Sequence, residues 1–155
     1  MPNLCASVRR ATVADATAVA DLVNRAYAIE AFFVEGDRTT EREIREMIAK
    51  GTFVVLEQDG GLAGAVYVEP GYFGMLSVLP ELQGMGLGKR LVSVAEAMCA
   101  ADGCTEVNLK IINLREELAR WYRSLGYREV GTAPYGHRPV KQPCHFVEMR
   151  KQLAA

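Results

Sequence analysis

Three glycines at alternate positions, Gly84, Gly86 and Gly88, stand between two apolar segments. The run before them ends at Val78 and is broken by Pro80; after them, Leu87, Leu91, Val94, Ala95 and Met98 recur at helical spacing. Strand, glycine-rich turn and amphipathic helix together aim unpaired backbone N–H groups and a helix N-terminus at an anion, most often a phosphate. Without side chains at these three positions the backbone reaches φ > 0 and a phosphate can approach it closely. The loop is not a Walker A loop. Gln83 stands where that motif has its first glycine, and Arg90 follows Gly88-Lys89 where Ser or Thr is required. It is not the dinucleotide fingerprint either, because the spacing is GxGxG and the acidic residue expected about 20 positions on is not clearly supplied. What remains is Gln83-x-x-Gly86-x-Gly88, with an ordinary glycine-rich turn as the alternative reading.

The other residue types that do chemistry are sparse. Cys5, Cys99, Cys104 and Cys144 form no C-x-x-C pair, and with only His137 and His145 beside them they do not space as a zinc site. Small thiols in a reducing cytosol are the expectation, with no metal. The net charge of −1 gives no electrostatic case for nucleic acid or an anionic membrane, and Arg9-Arg10 and Lys89-Arg90 are only pairs. Half of the 155 residues are apolar, which argues for one folded domain spanning residues 1–155. No basic-then-apolar leader opens the sequence and no apolar run reaches the ~18 residues of a membrane span, so a cytoplasmic protein is expected.

The elements that must position the loop follow from periodicity and punctuation. Residues 4–10 read as a first strand. Thr12 with Asp15 resembles a capping box ahead of a helix with Val19, Leu22, Val23 and Ala26 on one face. Thr40 with Glu43 is a full capping-box spacing for a second helix, stopped by Gly51. Residues 52–57, 62–69 and 72–78 form an antiparallel meander turned by Asp59-Gly60-Gly61 and Pro70-Gly71. The long helix after the glycines ends near Ala101, and residues 106–112 return as a fifth strand. Asn113 with Glu116 has capping-box spacing for a last helix striped by Leu114, Leu118, Trp121 and Leu125 and ended by Gly126. Residues 127–132 and 144–149 complete the strands. The order β-α-α-β-β-β-α-β-α-β-β predicts an α+β fold with a mixed sheet.

Two motifs in this order carry a resemblance. Gln83-x-x-Gly86-x-Gly88 resembles the pyrophosphate loop Q/R-x-x-G-x-G/A of the GCN5-related N-acetyltransferase (GNAT) family. Trp121-Tyr122-x-x-Leu125-Gly126-Tyr127 resembles the aromatic-Tyr pair and Leu-Gly-aromatic ending of that family's last helix. The likeness covers residues 62–131 well and the N-terminal helices in outline. It implies the GNAT fold, with a mostly antiparallel mixed sheet flanked by helices. It also implies acetyl-CoA as cosubstrate and transfer of its acetyl group to a primary amine in a ternary complex.

Carried over position by position, the resemblance implies that backbone groups of Leu76, Ser77 and Val78 pair with the pantetheine arm, on a strand that often carries a β-bulge. With Gln83 at the head of the loop, the N–H groups across Gly84, Met85, Gly86, Leu87, Gly88 and Lys89 would hold the pyrophosphate, with added charge from Lys89 and Arg90. Tyr122 would be the general acid, because a phenol of pKa near ~10 keeps its proton at neutral pH and can give it to a leaving thiolate. The general base stays open among Glu30, Glu69, Glu35, Asp37 and a water chain. Lys110 stands where the branch that acetylates protein N-termini has a mid-strand Glu, and Arg115 where that branch has Asn. Tyr27, Glu30, Phe32, Phe33, Arg38, Tyr135 and His137 lie on segments that wall the acceptor site in that family, and Arg38 is placed to pair with a substrate carboxylate. The expected partner is a small-molecule amine, with neither nucleic acid nor membrane, in a monomer or homodimer. An acyl-CoA-binding sensor without turnover and a protein lysine or N-terminal acetyltransferase are the alternatives.

Overall fold

A computed structural model describes residues 6–136 and 138–153. The start of the predicted first strand, Cys5 and His137 lie outside the described residues. The elements are β1 (Ser7–Arg10), α1 (Ala16–Ala26), α2 (Glu41–Lys50), β2 (Thr52–Gln58), β3 (Gly61–Glu69), β4 (Tyr72–Val78), α3 (Leu87–Ala101), β5 (Glu106–Ile112), α4 (Glu116–Ser124), β6 (Arg128–Pro134) and β7 (His145–Gln152). The strands form one sheet in the order β1-β2-β3-β4-β5-β7-β6. Every neighbouring pair is antiparallel except β4 and β5, which run parallel across the α3 connection. This is the α+β architecture that the element order predicts.

Alternating side chains put a core on each face of the sheet. Phe53 and Val55 of β2 and Ala65 and Tyr67 of β3 pack with Val19, Leu22 and Val23 of α1 and Ile44 of α2. Val54 and Leu56, with Val66 and Val68, pack on the other side with Leu91, Val92, Ala95 and Cys99 of α3 and Ala119 and Tyr122 of α4. The buried stripe of α3 is Leu87, Leu91, Val92, Ala95 and Cys99; it shares Leu87, Leu91 and Ala95 with the predicted stripe, whose Val94 and Met98 are half-buried against the same core.

Helix ends follow the capping chemistry in part. The Thr12 N–H donates to Asp15 Oδ2 at 2.7 Å, and the same carboxylate takes the Arg9 fork at 2.8 Å from each nitrogen. At α2 the Thr40 hydroxyl accepts from the Glu43 N–H at 3.1 Å, but the Glu43 carboxylate turns to the Thr39 hydroxyl and the box stays half closed. The predicted cap at Asn113 is not formed. Asn113 Oδ1 instead accepts the His145 N–H at 2.9 Å, tying the chain to β7, and α4 begins only at Glu116. Leu114 thus falls outside the helix, and the fully buried face of α4 is Ala119 and Tyr122 rather than the predicted leucine stripe. Its far end closes as a Schellman motif, with Tyr127 N–H to Tyr122 O and Gly126 N–H to Arg123 O, both at 3.0 Å.

The element that shapes the functional region is β4. Its ladder with β3 slips between Ala65 and Tyr67, and Met75 sits at φ +50°, in the left-handed region that L-residues rarely adopt. This is a β-bulge, the feature the resemblance implied for this strand. Its effect shows in side-chain parity. Phe73 packs with α3 and α4 while Met75, two residues on, packs with α1 and α2. Leu76 and Val78 then return to the face of Phe73.

Gly64 of β3 backs this strand, pairing with Val78. A Cβ there would stand 2.9 Å from Leu91 Cδ1 and 2.9 Å from the Ser77 carbonyl oxygen. The backbone contact cannot rotate away, so Gly64→Ala must push β4 outward. Overpacking of this kind costs about 1–3 kcal/mol; urea denaturation of the variant should show a loss in that range.

Candidate active site

Past the bulge, β4 and β5 part company. They pair only at Tyr72 and Asn108, where the Asn108 N–H reaches the Gly71 carbonyl at 2.9 Å. Beyond that point the strands splay, leaving a cleft of about 460 Å³. Leu76 and Val78 form one wall, Leu109 and Ile111 of β5 another, and Trp121 and Tyr122 of α4 close it.

The glycine loop borders the same cleft through Gln83, Gly84, Gly86, Leu87 and Gly88. Gly84 and Gly86 sit at φ +82° and +83°, with nothing within 4 Å of the place a Cβ would take. They are required for backbone direction, and the approach to the loop stays open. Gly88 is different. A Cβ on it would lie 3.4 Å from the Trp121 ring, so its bareness lets α3 and α4 come together. The helical ladder begins with Arg90 N–H to Gly86 O at 3.1 Å, which leaves the N–H groups of Leu87, Gly88 and Lys89 without intrahelical acceptors.

Four of the sequence-predicted coenzyme residues do not line the cleft. Ser77 lies on the opposite face of β4, with its hydroxyl donating to Met75 O at 2.9 Å, so its side chain is not presented to the cleft. Met85 lies outside the lining. Lys89 borders a separate groove with Glu96, Ser124 and Lys151, and Arg90 Nη1 donates to Ala6 O at 2.7 Å beside β1. The reason is helical rotation: each residue turns the side-chain direction by about 100°, so those after Gly88 swing off the cleft side.

Tyr122 is 4% exposed, and its ring is packed 4.9 Å from Trp121, 5.5 Å from Tyr127 and 6.2 Å from Phe73. The residue borders the cleft. Burial pushes the Tyr122 phenol well above its ordinary value, with the neighbouring Tyr27 adding to the effect. Tyr27 itself is pushed up to about 12, chiefly by burial, with Arg38 opposing.

On the other side of the bulge lies a second chamber of about 230 Å³, sharing Tyr27, Gly74, Met75, Lys110, Ile111 and Leu118 with the first. Tyr27, Glu30 and Arg38 are brought together here. Phe33 is not part of the lining, and Phe32 is 77% exposed. Glu30 comes from a single turn of 3₁₀-helix (Ala28–Phe32) and is 5% exposed. One carboxylate oxygen takes Arg138 Nη2 at 2.8 Å and the other Arg115 Nη1 at 3.2 Å, so the acid is spent on two buried guanidiniums. Glu69, at the end of β3, accepts the Tyr67 hydroxyl, lies 3.8 Å from Lys50 Nζ, and lines neither space. Glu35 and Asp37 are exposed loop residues outside both linings.

Tyr72 and Arg138 belong to this region without any motif to mark them, and Lys110 and Arg115, which the resemblance marked only as departures from one branch, lie here too. Lys110 carried a signal, since it interrupts the apolar run Leu109-Lys110-Ile111-Ile112. Arg138 carried none, being one cation in an irregular loop more than 100 residues from Glu30. Among the described residues no group of three or more His, Cys, Asp or Glu gathers to hold a metal, and no helix is long and apolar enough to cross a membrane.

Comparison with known proteins agrees with this geometry. The family model of the acetyltransferase (GNAT) domain matches residues 49–129, which run from the end of α2 through β2 to the start of β6 and include the glycine loop, β4, β5 and α4. An uncharacterised N-acetyltransferase of Chlorobaculum tepidum is 30% identical over 166 residues, covering 99% of this chain and all of the relative. An N-acetyltransferase from Staphylococcus aureus Mu50 superimposes with a TM-score of 0.79 at 15% identity, over 96% of this chain and 99% of the other. YncA of Salmonella typhimurium, solved with its cofactor acetyl-CoA, superimposes with a TM-score of 0.76 at 20% identity, over 97% of this chain and 95% of the other. With the family's domain spanning the splayed strands and a relative aligned end to end, the chain belongs to the GNAT acetyltransferase family and is an acyltransferase.

Proposed function

We propose that this chain is an acetyl-CoA-dependent N-acetyltransferase, a single GNAT domain that acylates the primary amine of a small molecule while both substrates are bound. The observation that carries the reading is that one cleft, opened by the bulge in β4, is bordered both by the first turn of α3 and by Tyr122. Acetyl-CoA supplies an acetyl group activated as a thioester. The residues present fit it. The bare N–H groups of Leu87, Gly88 and Lys89 suit paired phosphates, Gly84 and Gly86 leave their approach clear, and the unpaired edge of β4 from Leu76 to Val78 suits the amide-bearing arm.

Tyr122 holds its proton at the phenolic oxygen. Because burial raises its pKa, it stays protonated through the neutral range and acts as an acid, not a base. In the net transfer an N–C bond forms as the C–S bond breaks, one proton leaves the amine and one reaches the sulfur. Glu30 is engaged at both oxygens, and we assign it to holding Arg115 and Arg138 in place rather than to proton abstraction. Arg38 and Lys110 line the chamber, and its one carboxylate is already paired with Arg115 and Arg138. That surplus of positive charge favours the neutral amine over the ammonium ion, so water serves as the proton acceptor.

Calorimetry should detect binding of acetyl-CoA to the folded protein, and thiol release with an amine panel separates a transferase from a coenzyme sensor, which would bind without turnover. Tyr122→Phe should lower kcat by about 100-fold or more, within the range of general acid catalysis, with little change in acetyl-CoA affinity. An unchanged kcat under chemistry-limited conditions removes Tyr122 from the reaction. Since Tyr122 and Tyr27 are both shifted upward, the wild-type rate should show no falling limb from a phenol below pH ~10.

Glu30→Gln leaves two buried guanidiniums short of their counter-charge, which should cost about 3–5 kcal/mol in urea unfolding. Loss of activity with stability intact would instead make Glu30 the base.

A further inference from the structure

We infer that the amine accepted by this site also carries an anionic group, a carboxylate or a phosphonate, which Arg38 and Lys110 receive in the chamber of about 230 Å³ beside the bulge. The inference rests on the transferase reading above and names the class of acceptor for that same site.

The argument is one of charge. Lys110 and the half-buried Arg38 both line the chamber. Neither has a carboxylate partner among the described residues; Arg38 lies 5.4 Å from the centre of the Tyr27 ring and Lys110 Nζ 5.9 Å from that of Phe146. Such contacts are worth only about 0.5–1 kcal/mol at accessible sites, and Glu148, opposite Lys110 on β7 and sharing a separate groove with it, makes no ion pair with it. The one acid on the chamber wall, Glu30, is held by Arg115 and Arg138 and has no charge to spare.

The acids at the outer mouth do not compensate. There Arg38 shares a groove with Glu43, Glu46 and Lys50. Glu43 accepts the Thr39 hydroxyl at 2.5 Å and Glu46 pairs with Arg42 at 3.4 Å, both on the α2 side. Glu117, at the edge of the coenzyme cleft, is drawn to Arg115 at 3.2 Å. A polyamine or a plain cationic amine entering this chamber would meet charge of its own sign. An acceptor with an anionic group supplies the missing partner. Between Lys110 and the half-buried Arg38, that group accepts charge-assisted hydrogen bonds, which are stronger than neutral ones. The remaining walls are aromatic and apolar, with Tyr72, Tyr135, Phe146, Ile112 and Leu118, so the body joining amine to anion should be apolar as well.

The test is thiol release from acetyl-CoA with matched trios: an α-amino acid, its amide and its decarboxylated amine, for phenylalanine, leucine and methionine. 2-Aminoethylphosphonate separates the two anion types, and spermidine and a short peptide complete the panel. For at least one trio the acid should exceed its amide and its plain amine in kcat/KM by about tenfold or more, the scale set by leaving a charged binding group unpaired. Arg38→Gln should narrow that preference by about tenfold, through KM, with Lys110→Gln acting in the same direction. Unfolding curves run in parallel identify a variant that has simply lost its fold, and the wild-type trios decide the matter without it. Preference for the amide, the plain amine, spermidine or the peptide overturns the inference. So does a protein that binds acetyl-CoA while no anion-bearing amine of the panel reacts. Failure to bind acetyl-CoA at all overturns the transferase reading instead, so the two failures are told apart.

Discussion

A sheet that opens between two of its central strands leaves backbone donors and acceptors without their ladder partners, and everything functional in this protein depends on that opening. β4 and β5 meet at Tyr72 and Asn108 and nowhere else. Unpaired backbone groups shut away from water would cost as much as lost hydrogen bonds, so the gap is sustainable only if water or a ligand fills it. The bulge at Met75 makes the gap possible, because a strand that slips by one residue bends away from its neighbour. Gly64 and the buried α3 stripe hold the bent strand from behind. Opening and support are thus two sides of one packing arrangement.

The gap joins two environments of different character. Toward α3 it offers backbone N–H groups, glycine and apolar side chains, a surface that binds anions through dipoles rather than formal charge. Toward α1 and β7 it offers one guanidinium group, one ammonium group and aromatic rings. Tyr122 borders the first and Tyr27 borders both, and each keeps its proton because burial disfavours the phenolate. The basic side chains beside the loop, Lys89 and Arg90, are directed away from this cleft.

What could be read from the sequence was what local chemistry determines. The glycine loop, the amphipathic helices and the strand-turn pattern announce themselves within windows of about ten residues, and each appears in the structure. Tyr122 was found through its motif, although periodicity would have buried Leu114 and Leu118 ahead of it. The shifts have a common cause: Asn113 was free to bond across to β7 instead of capping its own helix, and that choice is invisible until β7 is in place. The ion triad of Glu30, Arg115 and Arg138 is of the same kind. Its members are separated by 85 and 108 positions along the chain, and no local pattern joins them. Glu30 looked like a candidate base because its partners could not be seen.

The strand order β5-β7-β6 has a consequence for how the molecule is made. β7 is the last strand along the chain, yet it lies inside the sheet and supplies Phe146 to the chamber. During synthesis a nascent chain halted before residue 145 would carry the glycine loop and the α4 segment, but β5 would be paired with β4 at one residue only and bare on its other flank. The hairpin of β6 and β7 is therefore what holds β5 along its length, and with it Leu109, Ile111 and Phe146, in place around the two chambers.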